Sequence, residues 1–162
     1  MVEIKVRVQI DAPTEKVWDV ISKIDDDPTF WKGTTAIRNL SKDDNVITRE
    51  VTIGKVDRCL QTVTLFPKEG INIRWTKGTI TGTKDLILIP MGNATQLEAV
   101  LKYRLSGMAT FLPGKITKDL QREADEAVRL IKEKAEGKMN NALQMEERKS
   151  WADLVNEKHP NY

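Results

Sequence analysis

The chain has 162 residues, 40% of them hydrophobic and 31% charged, and its 26 basic and 24 acidic side chains leave a formal net charge of +2. That length fits one domain able to bury about 70% of its unfolded surface without staples. The near-balance of charge lacks the one-sided basic excess of nucleic-acid binders, so no nucleic acid is expected as a partner.

Cys59 is the only cysteine, so no intrachain disulfide and no oxidising compartment is implied. The amino terminus alternates charged and apolar residues, which argues against a signal peptide, and no run approaches the ~20 apolar residues of a membrane span. A cytoplasmic protein is expected.

Val2 to Ile10 alternates without a break, apolar at even positions, and reads as a strand with one buried face. Asp11 is placed to cap a helix with Pro13 in its first turn, and Val17, Ile21 and Ile24 make its apolar stripe. Asp25-Asp26-Asp27 stops that helix and opens a shorter one from Pro28, carrying Phe30 and Trp31 and ended by Gly33.

Strand patterns then fill 35–41, 45–53, 57–66, 71–77, 79–89 and 95–105, with turn residues between them; Pro90 is expected to end its strand. After Pro113-Gly114 the period becomes helical. Ile116, Leu120, Ala124, Ala127 and Ile131 share one face to about Glu136, with Gly137 as the stop. The remainder is polar, and Trp151, Leu154 and Val155 suggest a short helix there. The order predicts an α+β domain, 1–136, in which a strongly curved seven-stranded antiparallel sheet wraps around one long helix, followed by a partly helical extension, 137–162. A helix about 10 Å across does not fill such a trough, so large side chains or a pocket must occupy the rest.

The Asp11-Ala12-Pro13…Val17-Trp18 element and Pro28-x-Phe30-Trp31 resemble the opening of the START/polyketide-cyclase superfamily (SRPBCC), the helix-grip fold of START lipid-transfer domains and birch-pollen-allergen-like proteins. The resemblance covers residues 1 to about 136 and rests on fold motifs, not catalytic ones. It implies a START-like, polyketide cyclase/dehydrase-type domain with a hydrophobic cavity between sheet and long helix, entered near the apolar loop 106–114. The cavity-lining, ligand-binding candidates are Trp18, Phe30, Trp31, Trp75, Leu97, Leu101, Tyr103, Met108, Phe111, Leu112, Ile116 and Leu120. Met108, Phe111 and Leu112 would form a portal or cap the core under the helix. Tyr103 would hold a polar group of the ligand or be satisfied by the protein itself.

Catalytic groups are sparse. His159, the single histidine, sits in the polar tail, Cys59 reads as a small buried hydrophobe, and no spacing suits a metal. Gly78, Gly82 and Gly92 lie at strand ends or bulges and form no phosphate loop. Glu50, Gln61, Arg74, Asp85 and Tyr103 are the strand residues able to face inward, with exposure the default for Glu50, Arg74 and Asp85.

The first expectation is therefore a non-catalytic protein, without cofactor or metal, that binds a small hydrophobic ligand such as a lipid, isoprenoid or polyketide-like molecule, for transport or sequestration. A cyclase or dehydratase using Tyr103 with Glu50 or Asp85 is the alternative, and a protein-interaction module the third. A homodimer through the carboxyl-terminal extension is a further expectation.

Overall fold

The structure, a computed structural model, describes residues 1–55 and 57–137, leaving aside the side chains of 108 and 109. The expectations for Trp151, Leu154, Val155, His159 and a dimer contact fall outside the described residues.

Seven antiparallel strands form one sheet: β1 (Val2–Ile10), β2 (Thr34–Asp43), β3 (Val46–Ile53), β4 (Asp57–Phe66), β5 (Gly70–Lys77), β6 (Ile80–Met91) and β7 (Ala94–Leu105), in the order β1-β7-β6-β5-β4-β3-β2. Between β1 and β2, at the two sheet edges, the chain makes α1 (Thr14–Ile21), a 3₁₀ turn (Ile24–Asp26) and α2 (Asp27–Phe30). A second 3₁₀ segment (Gly107–Phe111) leads into α3 (Pro113–Ala135). This is the helix-grip architecture.

Register follows from alternation. Ile4, Val6 and Ile10 of β1, Ile47 and Val51 of β3, Ile71, Ile73 and Trp75 of β5 and Leu97, Ala99, Leu101 and Tyr103 of β7 point into one continuous core. Register shifts between Thr34 and Ala36, between Asn39 and Ser41, and between Leu60 and Gln61 bend β2 and β4, which curls the sheet. Gly82 (φ 138°) pairs with Tyr103 and Trp75, and a Cβ there would strike the Lys102 carbonyl oxygen, so only glycine lets β6 and β7 approach in this register.

Three local readings need correction. α1 begins at Thr14 behind Pro13, with no side-chain cap. Instead of Asp11, the Thr14 hydroxyl is tied to buried Thr95, whose own hydroxyl donates to the Ala12 carbonyl at 2.9 Å. Trp31 lies just beyond α2 rather than on it, its backbone N–H closing the turn onto the Asp27 carbonyl at 2.7 Å. Pro90 does not end β6. The β5 ladder reaches only to Ile87, so the far end of β6 pairs on the β7 side alone and tolerates a residue without an N–H.

The long helix is held asymmetrically. Its buried residues are Ala124, Ala127, Val128, Ile131 and Ala135, all in the carboxyl-terminal half. That half is also tied to β1: the Lys132 ammonium donates to the Gln9 carbonyl at 2.8 Å, and the Asp11 N–H donates to Glu136 at 2.8 Å. From 113 to 123 no side chain is fully buried.

Candidate functional site

Under that loosely held half of α3 lies a small, partly open cavity of about 30 Å³, room for about one water molecule. Its wall combines Trp31, Ile53, Trp75, Ile80, Leu101 and Leu120 with two charged side chains, Lys84 and Glu123. Two larger hollows, of about 310 Å³ beside Phe66 and Ile87 and about 420 Å³ beside Lys23 and Asn39, are open surface depressions that contain no buried cation.

Lys84 alternates with Leu86 and Leu88 on the inner face of β6 and is only 5% exposed. Its Nζ lies 3.6 Å from the centre of the Trp31 ring and 5.9 Å from that of Trp75. It makes no hydrogen bond or ion pair among the described residues. Burial lowers its pKa from 10.5 to about 8, against the opposing pull of Asp27 and Glu123 and with the repulsion of Arg49. The buried Trp75 Nε1–H is likewise without a hydrogen-bond partner. Among the described residues Trp75 Nε1 is thus a buried donor without an acceptor at this wall, and Lys84 adds an ammonium with no hydrogen bond to the protein. Glu123 is fixed by the backbone, its Oε1 accepting from the Gly33 N–H at 3.0 Å. Gly33 matters for that seat, because a Cβ there would lie 2.6 Å from the other Glu123 oxygen.

A second charged group lies behind Lys84. Arg49, 1% exposed, donates to Asp27 Oδ2 at 2.7 Å, to Gln61 Oε1 at 2.9 Å and to the Ile24 carbonyl at 3.0 Å. Burial pushes the Asp27 carboxyl up, while Arg49 and Lys84 draw it down. The guanidinium spans β3, β4 and the 3₁₀ turn, so this cluster positions the α2–Trp31 segment and hence the indole beneath Lys84.

The sequence candidates distribute as follows. Trp31, Trp75, Leu101 and Leu120 come together at the cavity. Phe30 and Leu97 are buried in the core, and Trp18 and Ile116 are half-buried. Phe111 and Leu112 are 76% and 59% exposed, so they neither line the cavity nor cap the core. The Met108 side chain lies outside the described residues. Tyr103 is fully buried, and its hydroxyl donates to Thr117 Oγ1 at 2.8 Å, since the Thr117 proton is committed to the Pro113 carbonyl at 2.9 Å. It ties β7 to the first turn of α3.

Glu50 and Asp85 stand on the outer face, paired with Arg38 at 3.5 Å and Asn72 at 2.6 Å, and Arg74 is exposed there too. They cannot serve the cavity. Gln61 does face inward, as the partner of Arg49. Arg49, Lys84 and Glu123 were missed, although parity marks the first two: Arg49 alternates with Ile47 and Val51 just as Lys84 does with Leu86 and Leu88.

Solved structures share this fold across most of their length. The TTHA0849 protein of Thermus thermophilus superposes with a TM-score of 0.71 at 16% identity, over 83% of this chain and 97% of that one. The Zhui aromatase/cyclase of a Streptomyces species gives 0.67 at 13% identity, over 83% and 93%. A START superfamily protein of Mycobacterium smegmatis gives 0.63 at 18% identity, over 86% and 98%. No curated protein sequence matches significantly. Among the described residues no helix is long and apolar enough to cross a membrane. The family model for polyketide cyclase/dehydrase and lipid transport matches residues 10–129, and with the helix-grip architecture this establishes that the chain belongs to that family.

Proposed function

We propose that this chain binds a small, predominantly apolar ligand, of lipid, isoprenoid or polyketide-like character, between the concave sheet face and the amino-terminal half of α3. The observation that carries the reading is the cavity wall: two tryptophans and four aliphatic side chains face a space over which α3 buries no residue before Ala124. Covering apolar ligand surface stabilises the complex by roughly 25 cal/mol per Å². At about 30 Å³ the space holds only a fragment of such a ligand, so entry requires the first turns of α3 to swing outward. The Tyr103–Thr117 hydrogen bond is the latch on that motion, and the exposed Phe111 and Leu112 stand beside the opening it would create.

Native mass spectrometry of protein purified without detergent tests this. Expected is a bound small molecule released on denaturation, or saturable uptake of added apolar probes; an empty protein that takes up no apolar probe would overturn it.

A second reading, an enzyme of the cyclase or dehydratase type, is favoured by one observation: Lys84 and Glu123, a proton donor and a proton acceptor, line the same cavity. It uses these two in place of Tyr103, Glu50 and Asp85.

A further inference from the structure

Lys84 brings unused hydrogen-bond donors to the cavity wall. An ammonium carries three donors, and here the group is buried, apposed to an indole face and without an acceptor among the described residues. An anionic ligand does not answer that demand well. Asp27 is paired with Arg49, and Glu123 already balances Lys84, so a further carboxylate would leave the cavity with an excess negative charge. A neutral ligand that presents an oxygen acceptor does answer it. A carbonyl group can do more, since a desolvated lysine amine is a nucleophile toward carbonyl carbon.

We infer that Lys84 captures an aldehyde or ketone as an imine, with Glu123 handling the protons. The inference rests on the ligand-binding reading of the same cavity. A proton of the Lys84 ammonium passes to Glu123 through a water molecule in the cavity that both line, since the two side chains form no direct ion pair. The free Nζ then attacks the carbonyl carbon: a C–N bond forms, the C=O π bond breaks onto oxygen, and a nitrogen-borne proton moves to that oxygen, giving a neutral carbinolamine. Glu123 returns its proton to the hydroxyl, the C–O bond breaks, water leaves, and the nitrogen lone pair closes the C=N bond. One ammonium and one carbonyl compound become one protonated imine and one water, with Glu123 restored and no oxidant or reductant required. The site suits the steps. The lowered lysine pKa makes the first transfer accessible near neutrality, Gly33 holds Glu123 in place, and the Trp31 face stabilises the cation present at the start and at the end.

The experiment incubates the full chain with benzaldehyde and sodium cyanoborohydride at neutral pH, followed by intact-mass measurement and peptide mapping. Expected is one benzyl adduct per chain, mapping to Lys84 and formed faster than at every other lysine. Lys84→Arg should abolish it and Glu123→Gln should slow it. In parallel, benzyl alcohol, which cannot form an imine, is titrated while the Trp31 and Trp75 indole N–H signals are followed. Adducts scattered over other lysines, together with a saturable indole shift, would overturn the imine and leave the binding reading standing. No Lys84 adduct and no indole shift would overturn both. Because the map of the unaltered chain is decisive by itself, the test survives a variant that fails to fold.

Discussion

Lys84 Nζ sits 3.6 Å above the Trp31 ring, where a cation normally carried in water is instead held by an indole face. Such a contact contributes about 2 kcal/mol when desolvated, less than the several kcal/mol lost by stripping water from an ammonium. The position therefore costs stability.

Lys84→Met should accordingly stabilise the fold at pH 7, by about 1–3 kcal/mol in urea unfolding. The pH dependence has a definite sign. Below about pH 8 lysine is protonated in both folded and unfolded chains and the cost is present in full. Between about 8 and 10.5 the unfolded chain keeps a proton that the folded chain has released, so wild-type stability rises relative to the variant. The advantage of Lys84→Met should shrink across that interval. An advantage unchanged by pH would contradict the burial account.

The Arg49–Asp27 pair should behave differently, because each partner compensates the other. Arg49→Met strands the Asp27 carboxyl in the core and should cost about 3–5 kcal/mol by chemical denaturation. Replacing both partners by apolar residues should recover much of that loss, and a double-mutant cycle would measure the coupling. Additive losses would show that the pair does not act as a unit.

Tyr103→Phe removes a single hydroxyl from a fully buried ring, and with it the bond to Thr117. A stability loss of about 1 kcal/mol is expected. The more telling readout is hydrogen exchange, which should quicken over residues 113–120 while 124–135 keep their protection. Uniform loosening of α3 would mean that Tyr103 is no latch.

Most of the architecture could be read from the chain because each strand exposes one face and buries the other. The Leu97–Leu105 alternation places Tyr103 inward, and the spacing of Ala124, Ala127 and Ile131 places the helix face. The charged part of the site is not legible in the same way, because the default for a strand lysine or arginine is solvent. Arg49 is inside only because Asp27, Gln61 and the Ile24 carbonyl converge on it from other elements. Lys84 is inside because Trp31 and Trp75 meet over it. Such partnerships exist only after folding. Pro90 misleads for a similar reason: that the β5 ladder stops at Ile87 is a fact of the sheet, not of the strand.

Glycine substitutions should separate conformation from crowding. Gly92 (φ 65°) has open space around it, so Gly92→Ala should cost only about 1 kcal/mol, that of a left-handed residue. Gly82 combines φ 138° with the Lys102 carbonyl against its Cβ position, so Gly82→Ala should cost more than about 2 kcal/mol and disturb the β6–β7 register. Equal losses in thermal unfolding would remove the argument for close approach.

The most direct test of ligand binding under α3 uses the four tryptophans, Trp18, Trp31, Trp75 and Trp151, whose indole N–H signals can be followed separately by NMR while decanol is titrated. The expected result is a saturable shift of the Trp31 and Trp75 signals, with Trp75 the more affected as its unpartnered N–H gains an acceptor. Shifts confined to Trp18 or Trp151, or no saturable shift at any of the four, would contradict a ligand site at this cavity.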